Sequence, residues 1–264
     1  MFGRKKFKDS GLYVGDYVDF DETELVINKV FERKNKLIRP PVANVTQVLI
    51  VIAPKPKPDF YLVDKIIVKC LSVGIKPILI INKCDILSAK LEQNILEQYT
   101  AVCDILILST RQNVGIDLLK EKLVNNLNVF TGQSAVGKSS IINTLVPNRH
   151  SQVGELSKKI ERGKNCTRHS EIFNIDDNTQ IVDTPGFSVL DMDGIDSKTL
   201  CDYYPDFLAF QKDCKYNTCV HIGESETNCA IKRAVSNGQI NKQRYSRYCE
   251  LYQQLKDKED KLYE

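Results

Sequence analysis

Gly132-Gln133-Ser134-Ala135-Val136-Gly137-Lys138-Ser139-Ser140 is the stretch that decides the fold. It holds G-x-x-x-x-G-K-S at Gly132, Gly137, Lys138 and Ser139. Leu127-Asn128-Val129-Phe130-Thr131 before it reads as a short strand, and Ser140-Ile141-Ile142-Asn143-Thr144-Leu145 after it as the start of a helix. A strand, a glycine-rich turn and a helix N-terminus are what a phosphate-binding P-loop needs. The glycines let backbone N–H groups converge on phosphate oxygens, and the helix adds its positive dipole end. The expected roles put Lys138 on the outer phosphates and the Ser139 hydroxyl on Mg²⁺.

Upstream of this loop the chain alternates strands and helices. Val48–Ala53, Pro77–Ile81 and Ile105–Leu108 are apolar runs suited to strands buried on both faces. Phe60–Val73, Leu87–Tyr99 and Val114–Leu127 have helical spacing, the last running directly into the P-loop strand. Downstream, 147–170 is polar, and Glu171–Ile175 and Gln180–Val182 read as strands around an Asp-Asp-Asn turn. Repeated βα units imply a mainly parallel sheet with helices on both faces, and ligands bind at the carboxyl ends of its strands. Residues 1–40 form a small β unit, closed by the breaker Arg39-Pro40-Pro41. From about Ile195 the strand signal stops, leaving helix, a cysteine-rich loop and a charged helix over Gln239–Tyr263 packed on its own domain. The expected division is 1–40, 41–194 and 195–264.

Bulk composition adds limits. The 264 residues are 42% hydrophobic and 27% charged, as in a globular protein. No apolar run approaches a membrane span, and MFGRKKFKDS lacks the apolar core of a signal peptide, so a cytoplasmic protein is expected, with no membrane partner. A net charge of +3 argues for no partner; a basic surface must be local. Nine cysteines in a reducing compartment do not make a disulfide framework.

Three strand ends carry the remaining chemistry. Asn82-Lys83-Cys84-Asp85 matches N-K-x-D. An aspartate there can accept both N1–H and the exocyclic amine of guanine, a donor pair adenine lacks. Asn82 would brace neighbouring loops and the Lys83 stem would lie over the base. Ser109-Thr110 would cap the base through backbone groups. Asp183-Thr184-Pro185-Gly186 follows Gln180-Ile181-Val182, with Asp183 expected to hold Mg²⁺ through water and the Gly186 N–H to face the γ-phosphate. Thr167 is the candidate switch threonine on Mg²⁺ and γ-phosphate.

These are the elements of a GTPase in rotated order, with N-K-x-D and Ser109-Thr110 ahead of the P-loop. A circular permutation produces that order, and compact domains tolerate it when their termini are close. Phe187 stands where a Ras-type enzyme has the glutamine that orients water. Since intrinsic hydrolysis is slow even with glutamine, on the order of 10⁻⁴ per second, a partner is expected to complete the site. His169 is the candidate for positioning water. Asp183–Gly186 leads directly into residues 200–264, which could then move as a lever.

Cys214-x₄-Cys219-x-His221-x₇-Cys229 supplies three thiolates and one imidazole, the full shell of a structural Zn²⁺. Arg4, Lys5, Lys6 and Lys8, interleaved with Phe2 and Phe7, form one candidate RNA surface. Lys232, Arg233, Lys242, Arg244 and Arg247 form a second.

Together these stretches resemble the bacterial ribosome small subunit-dependent GTPase A family, over nearly the whole chain. Val14-Gly15-Asp16, Ile38-Arg39-Pro40-Pro41, Gly132–Ser140, Arg162-Gly163-Lys164, Thr167-Arg168-His169, Asp183–Phe187, the Cys/His cluster and Arg244-Tyr245 all match. The resemblance implies an α/β, circularly permuted P-loop GTPase domain between a short N-terminal OB-like β domain and a C-terminal helical zinc domain. It implies a GTP phosphohydrolase acting on the 30S subunit and its rRNA late in maturation, stimulated by that subunit, and a monomer is expected. A GTP-binding regulator of a protein partner, with zinc only structural, is the competing class. Cys166 replaces the family's usual threonine. The N-terminal strands are fewer than in the family's barrel, and seven residues between His221 and Cys229 make a long loop. Ala135 replaces a glycine of the usual SGVGKS, a change tolerated as long as its backbone is not left-handed.

Overall fold

The computed structural model describes residues 11–38, 41–146, 171–183 and 192–261. At its centre is a six-stranded sheet built from β5 (Gln47–Ile52), β6 (Lys76–Ile81), β7 (Asp104–Ile107), β8 (Leu127–Thr131), β9 (Glu171–Asn174) and β10 (Gln180–Asp183). Its spatial order is β7-β6-β5-β8-β10-β9. All neighbours are parallel except β9, which runs antiparallel to β10 at the edge. β8, the P-loop strand, thus lies between a strand from before it and a strand from after it. The strands upstream of the P-loop in sequence complete the same sheet as those downstream, which is what a permuted chain requires.

The central strands bury both faces. Val48, Ile50 and Ile52 face one side with Leu79, Ile81, Val129 and Val182, under α1 (Phe60–Ser72) and α2 (Ala89–Tyr99). Leu49 and Val51 face the other with Ile80, Phe130 and Ile181, under α3 (Ile116–Leu123) and α4 (Lys138–Leu145). The expected helix over Val114–Leu127 is shorter. Gly115 caps its start, and beyond Leu123 the chain turns through left-handed Asn125 before β8 begins.

The N-terminal unit consists of β1 (Val18–Asp21) paired with β2 (Val26–Val30), and β3 (Lys36–Leu37) paired with β4 (Val42–Ala43). The expected boundary at residue 40 falls between the two strands of the second ladder. Gly15 is required here: at φ +89° it lies so close to Ala43 that a Cβ would come within 2.3 Å of the Ala43 carbonyl oxygen. Asp16 takes both the Nε and Nη2 of Arg33, at 2.6 and 2.8 Å.

The C-terminal part is a 3-10 segment (Ser197–Tyr203), the short α5 (Pro205–Leu208), the cysteine-rich loop, α6 (Ala230–Ser236) and α7 (Lys242–Asp260). Its aromatic centre packs Tyr204, Phe207 and Tyr248 in tilted and edge-to-face contacts with centroids 4.9–5.0 Å apart. This cluster is continuous with the core under α1 and α2. α7 therefore packs against α1 as well as against the elements next to it in the chain. Asp64, on the inner face of α1, receives Arg244 through Nη1 and Arg247 through Nε at 2.5 Å; Arg244 Nε also meets Asp206 at 3.0 Å. Arg247 continues to Gln98 of α2 at 2.7 Å, and Tyr99 donates its hydroxyl to Asp64 at 3.0 Å. Burial alone would lower the pKa of the Arg244 guanidinium, but Asp64 and Asp206 more than offset it and hold it above its ordinary value.

This geometry corrects the second candidate RNA surface. Arg244 has no solvent exposure and Arg247 is mostly covered, both spent on Asp64. Lys232 and Arg233 donate to carbonyls of the cysteine-rich loop (Ile222 and Glu224, and Glu226 and Thr227). Of the five residues of that candidate surface, Arg244 and Arg247 are internal fasteners, Lys232 and Arg233 are half-buried and tied to the loop, and Lys242 stays exposed.

Removing one member of a buried ion pair strands the other charge, so Asp64→Ala is expected to destabilise the protein by about 3–5 kcal/mol. Chemical denaturation of the two proteins side by side measures it.

Candidate functional site

The site is assembled at the carboxyl ends of β5, β6, β7, β8 and β10. Gly132 takes φ +130° and passes so near β5 that a Cβ would lie 2.1 Å from the Val51 carbonyl oxygen. Gly137, at φ +98°, leaves room for Asn82, whose Nδ2 would be 2.3 Å from any Cβ there. Asn82 Nδ2 donates to the Val136 carbonyl at 2.9 Å, in a fully buried bond. Asn82 thus ties the turn after β6 directly to the Gly132–Ser140 loop. Lys83, left-handed at φ +62°, sends its Nζ to the carbonyls of Ala135 (2.8 Å) and Lys55 (2.9 Å). Gly132, Ser134, Ala135, Gly137, Lys138, Ser139, Ser140 and Lys83 line a cavity of about 480 Å³.

Lys138 turns its ammonium onto the Gly132 and Gln133 carbonyls at 2.7 and 2.6 Å. Burial lowers its pKa, and the nearby Asp183 carboxylate works against that shift. Asp183 ends β10 beside the P-loop strand. A hydroxyl at Ser139 and a carboxylate at Asp183 are the hard oxygen donors Mg²⁺ prefers.

Asp85 lies in the turn after β6, and Ser109 donates its hydroxyl to the Asp85 Oδ1 at 2.7 Å. That hydrogen bond holds the Asp85 carboxyl below its ordinary value. A depressed carboxylate stays ionised, and able to accept hydrogen bonds, until the pH falls through that lower value. The turn is tied again by Cys84 N–H to the Leu108 carbonyl at 3.1 Å, and Thr110 continues the turn from Ser109. Thr167, His169, Gly186 and Phe187, with the basic N-terminal tail, lie outside the described residues.

One expectation is overturned. Ala135 was acceptable provided its backbone was not left-handed, yet it takes φ +63°. An L-residue there crowds its Cβ against the following carbonyl, at about 1–2 kcal/mol. The Lys83 ammonium on the Ala135 carbonyl helps to hold that conformation. A second feature has no motif signal: the Gln133 side chain leaves the cavity and bonds the loop before α1, accepting from Asp59 N–H at 2.9 Å and donating to the Lys57 carbonyl at 3.3 Å.

The Cys/His cluster forms a separate centre. His221 Nδ1 lies 3.6, 3.3 and 3.5 Å from the sulfurs of Cys214, Cys219 and Cys229. Metal–sulfur bonds of about 2.3 Å and a metal–nitrogen bond of about 2.0–2.1 Å at tetrahedral angles give N···S separations of about 3.5 Å. The donor set therefore fits one tetrahedral metal ion, and all four ligand atoms lie within 4.8 Å of one another. Burial pushes the Cys219 and Cys229 thiols up, and repulsion from neighbouring thiolates adds to it, so a cation is needed to hold them ionised together. Burial also lowers His221, keeping the imidazole neutral and free to ligate. α7 fixes the loop by its backbone: Tyr245 and Tyr248 donate to the carbonyls of His221 (2.6 Å) and Val220 (2.7 Å). Ala230 N–H points at the Cys214 sulfur at 3.3 Å.

A parallel sheet with P-loop and N-K-x-D turns at one edge, in rotated order and followed by a Cys₃His centre, defines a circularly permuted P-loop GTPase. The RsgA GTPase family matches residues 30–193. The small ribosomal subunit biogenesis GTPase RsgA of Clostridium acetobutylicum is 39% identical over 259 residues, covering 96% of this chain and 88% of that protein. The RsgA of Ruminiclostridium cellulolyticum is 37% identical over 243 residues, covering 91% and 78%. Among solved structures, YjeQ from Thermotoga maritima superposes with a TM-score of 0.78 at 31% identity, over 96% of this chain and 88% of that one. YloQ, described as a circularly permuted GTPase, gives 0.75 at 30%, over 96% and 84%. The chain belongs to the RsgA GTPase family and is a GTPase. Among the described residues, no helix is long and apolar enough to cross a membrane.

Replacing Ala135 by glycine should relieve its backbone strain. Ala135→Gly is expected to raise stability by about 1 kcal/mol despite glycine's greater freedom in the unfolded chain. A rise in the thermal midpoint of the nucleotide-free protein measures it; an unchanged or lower midpoint contradicts it.

Proposed function

We propose that the chain hydrolyses GTP in the maturation of the small (30S) ribosomal subunit, and that contact with the subunit and its rRNA stimulates turnover. The observation that carries the nucleotide reading is the Asn82–Val136 and Lys83–Ala135 bonding, which joins the base-reading turn and the phosphate loop into one cradle. The curated relatives' name, small ribosomal subunit biogenesis GTPase, supports the partner. In this reading Asp85 reads guanine, Ser109 orients Asp85, and Thr110 closes the base pocket. The backbone from Gly132 to Ser140 cradles the phosphates, and Lys138 neutralises them. Ser139, with Asp183 through water, holds Mg²⁺, which supplies charge neutralisation at the phosphates. Thr167 and Gly186 complete the γ-phosphate side, and His169 is the candidate for positioning water. The three-part division of the chain and its action as a cytoplasmic monomer belong to the same proposal.

Turnover with and without purified 30S subunits tests it. The expected result is slow GTP hydrolysis alone and at least about a hundredfold stimulation by the subunit; an arginine-type partner contribution reaches about 10³–10⁵. Equal rates with and without subunits would remove the ribosomal reading and favour a protein partner. Asp85→Asn exchanges an acceptor for a donor opposite the guanine amine. It is expected to weaken GDP binding by about a hundredfold and to favour xanthosine diphosphate, whose C2 oxygen accepts where guanine donates; unchanged guanine preference would exclude Asp85 as the reader.

For the metal, we propose a single structural Zn²⁺ on Cys214, Cys219, His221 and Cys229, with no open position for water. Elemental analysis should find one zinc per chain. Cys219→Ser should lose that zinc and lower the unfolding midpoint, whereas full zinc content in the variant would argue against the ligand set.

A further inference from the structure

The loop between β5 and α1 is held by both halves of the nucleotide cradle. Lys83, from the base-reading turn, bonds the Lys55 carbonyl. Gln133, from the phosphate loop, bonds the Lys57 carbonyl and the Asp59 N–H. Pro54, Pro56 and Pro58 fix φ along this loop, so it has few ways to absorb a displacement. Asp59 is also the N-cap of α1, its Oδ1 accepting from Leu62 N–H at 3.0 Å. Five residues on, about 7.5 Å along the helix axis, is Asp64. Asp64 is fully buried and receives both Arg244 and Arg247 of α7, the helix whose tyrosines hold the backbone of the Cys/His loop. Further along α1, Lys69 donates to the Asp193 carbonyl at 2.7 Å, and Lys258 of α7 meets the Asp193 side chain.

We infer that Gln133 is a positioning residue that couples the phosphate loop to the C-terminal metal module through α1, by way of Asp59 and the Asp64–Arg247 ion pair. The P-loop backbone must settle around a diphosphate. Gln133 passes that adjustment to the cap of α1, and the helix, rigid over this span, presents it to α7. This route runs on the side of the sheet opposite α4 and does not use residues 184–191. Coupling of this kind is reciprocal: what the phosphates do to α7, α7 does to nucleotide affinity.

The inference rests on the nucleotide-site assignment above, and a double-mutant cycle in the full-length zinc-loaded chain separates the two. GDP affinity is measured by fluorescent-nucleotide titration for the wild type, Gln133→Ala, Arg247→Gln and the double variant. Arg247→Gln, remote from the nucleotide, is expected to weaken GDP binding about fivefold, and to have no further effect once Gln133 is replaced. Strictly additive effects, or no effect of Arg247→Gln, would overturn the coupling while leaving GDP binding in place. Wild-type protein that does not bind GDP would sink the site assignment and the coupling together. Where Arg247→Gln loses zinc or folded signal, Arg247→Lys, which keeps the charge but not the fork of bonds to Asp64 and Gln98, takes its place in the cycle. A second readout distinguishes positioning from mere structural support. GDP should slow amide exchange across 242–260 in the wild type, and this protection should vanish in Gln133→Ala even at saturating GDP; protection that persists contradicts the proposal.

Discussion

A single buried carboxylate holds the two ends of this molecule's chemistry together. Asp64 sits on the apolar face of α1 with no exposure to water, between two guanidinium groups from the far end of the chain. A buried ion pair of this kind is a weak source of net stability compared with apolar packing, because both charges lose their hydration. Its strength is in specificity. Sliding or tilting α7 against α1 by one turn would leave an arginine or an aspartate buried without its partner, an error much more costly than an imperfect apolar contact. The continuous apolar core under α1 and α2 brings the module into contact, and the Asp64 cluster sets where it stops.

The Cys/His cluster depends on the same helix. Its loop has too few apolar residues to fold alone; four donor side chains and two tyrosine hydroxyls organise it instead. Tyr248 serves both functions at once: its ring belongs to the aromatic centre and its hydroxyl to the Val220 carbonyl. The nucleotide cradle is built on a similar economy. Gly132 and Gly137 are places where backbone or amide crowding leaves no room for a Cβ, so the glycines of the motif do steric work before they bind any phosphate.

Much of this was readable before the structure. The parallel strands announce themselves because strands buried on both faces are unbroken apolar runs, and the run Leu127–Thr131 reappears as a strand with the same limits. The rotated order of motifs was enough to read a circular permutation; that the P-loop strand lies in mid-sheet, between β5 and β10, came only with the structure. The Cys₃His spacing identified four side chains that do converge. What could not be read was conformation and distance. Nothing in the letters around Ala135 states the sign of its φ. Asp64 and Arg244 are 180 residues apart, and Arg244 and Arg247 look like ordinary surface charges on a highly charged helix. The only local hint was Asp64 itself, an acid flanked by Val63 and Ile66-Ile67 on a helix face that is otherwise apolar. Gln133 was named for its backbone; its side chain contacts a loop that no motif mentions.

The ladder between Lys36–Leu37 and Val42–Ala43 has a practical side. A proteolytic or engineered cut near residue 40 would remove the partner of β4 and the Leu37 side chain that lies in the main core. The remaining piece would begin with an unpaired strand edge over uncovered apolar surface, the arrangement that templates strand addition between molecules. The fragment carrying the nucleotide cradle would then be limited by solubility long before it was limited by the loss of any catalytic group.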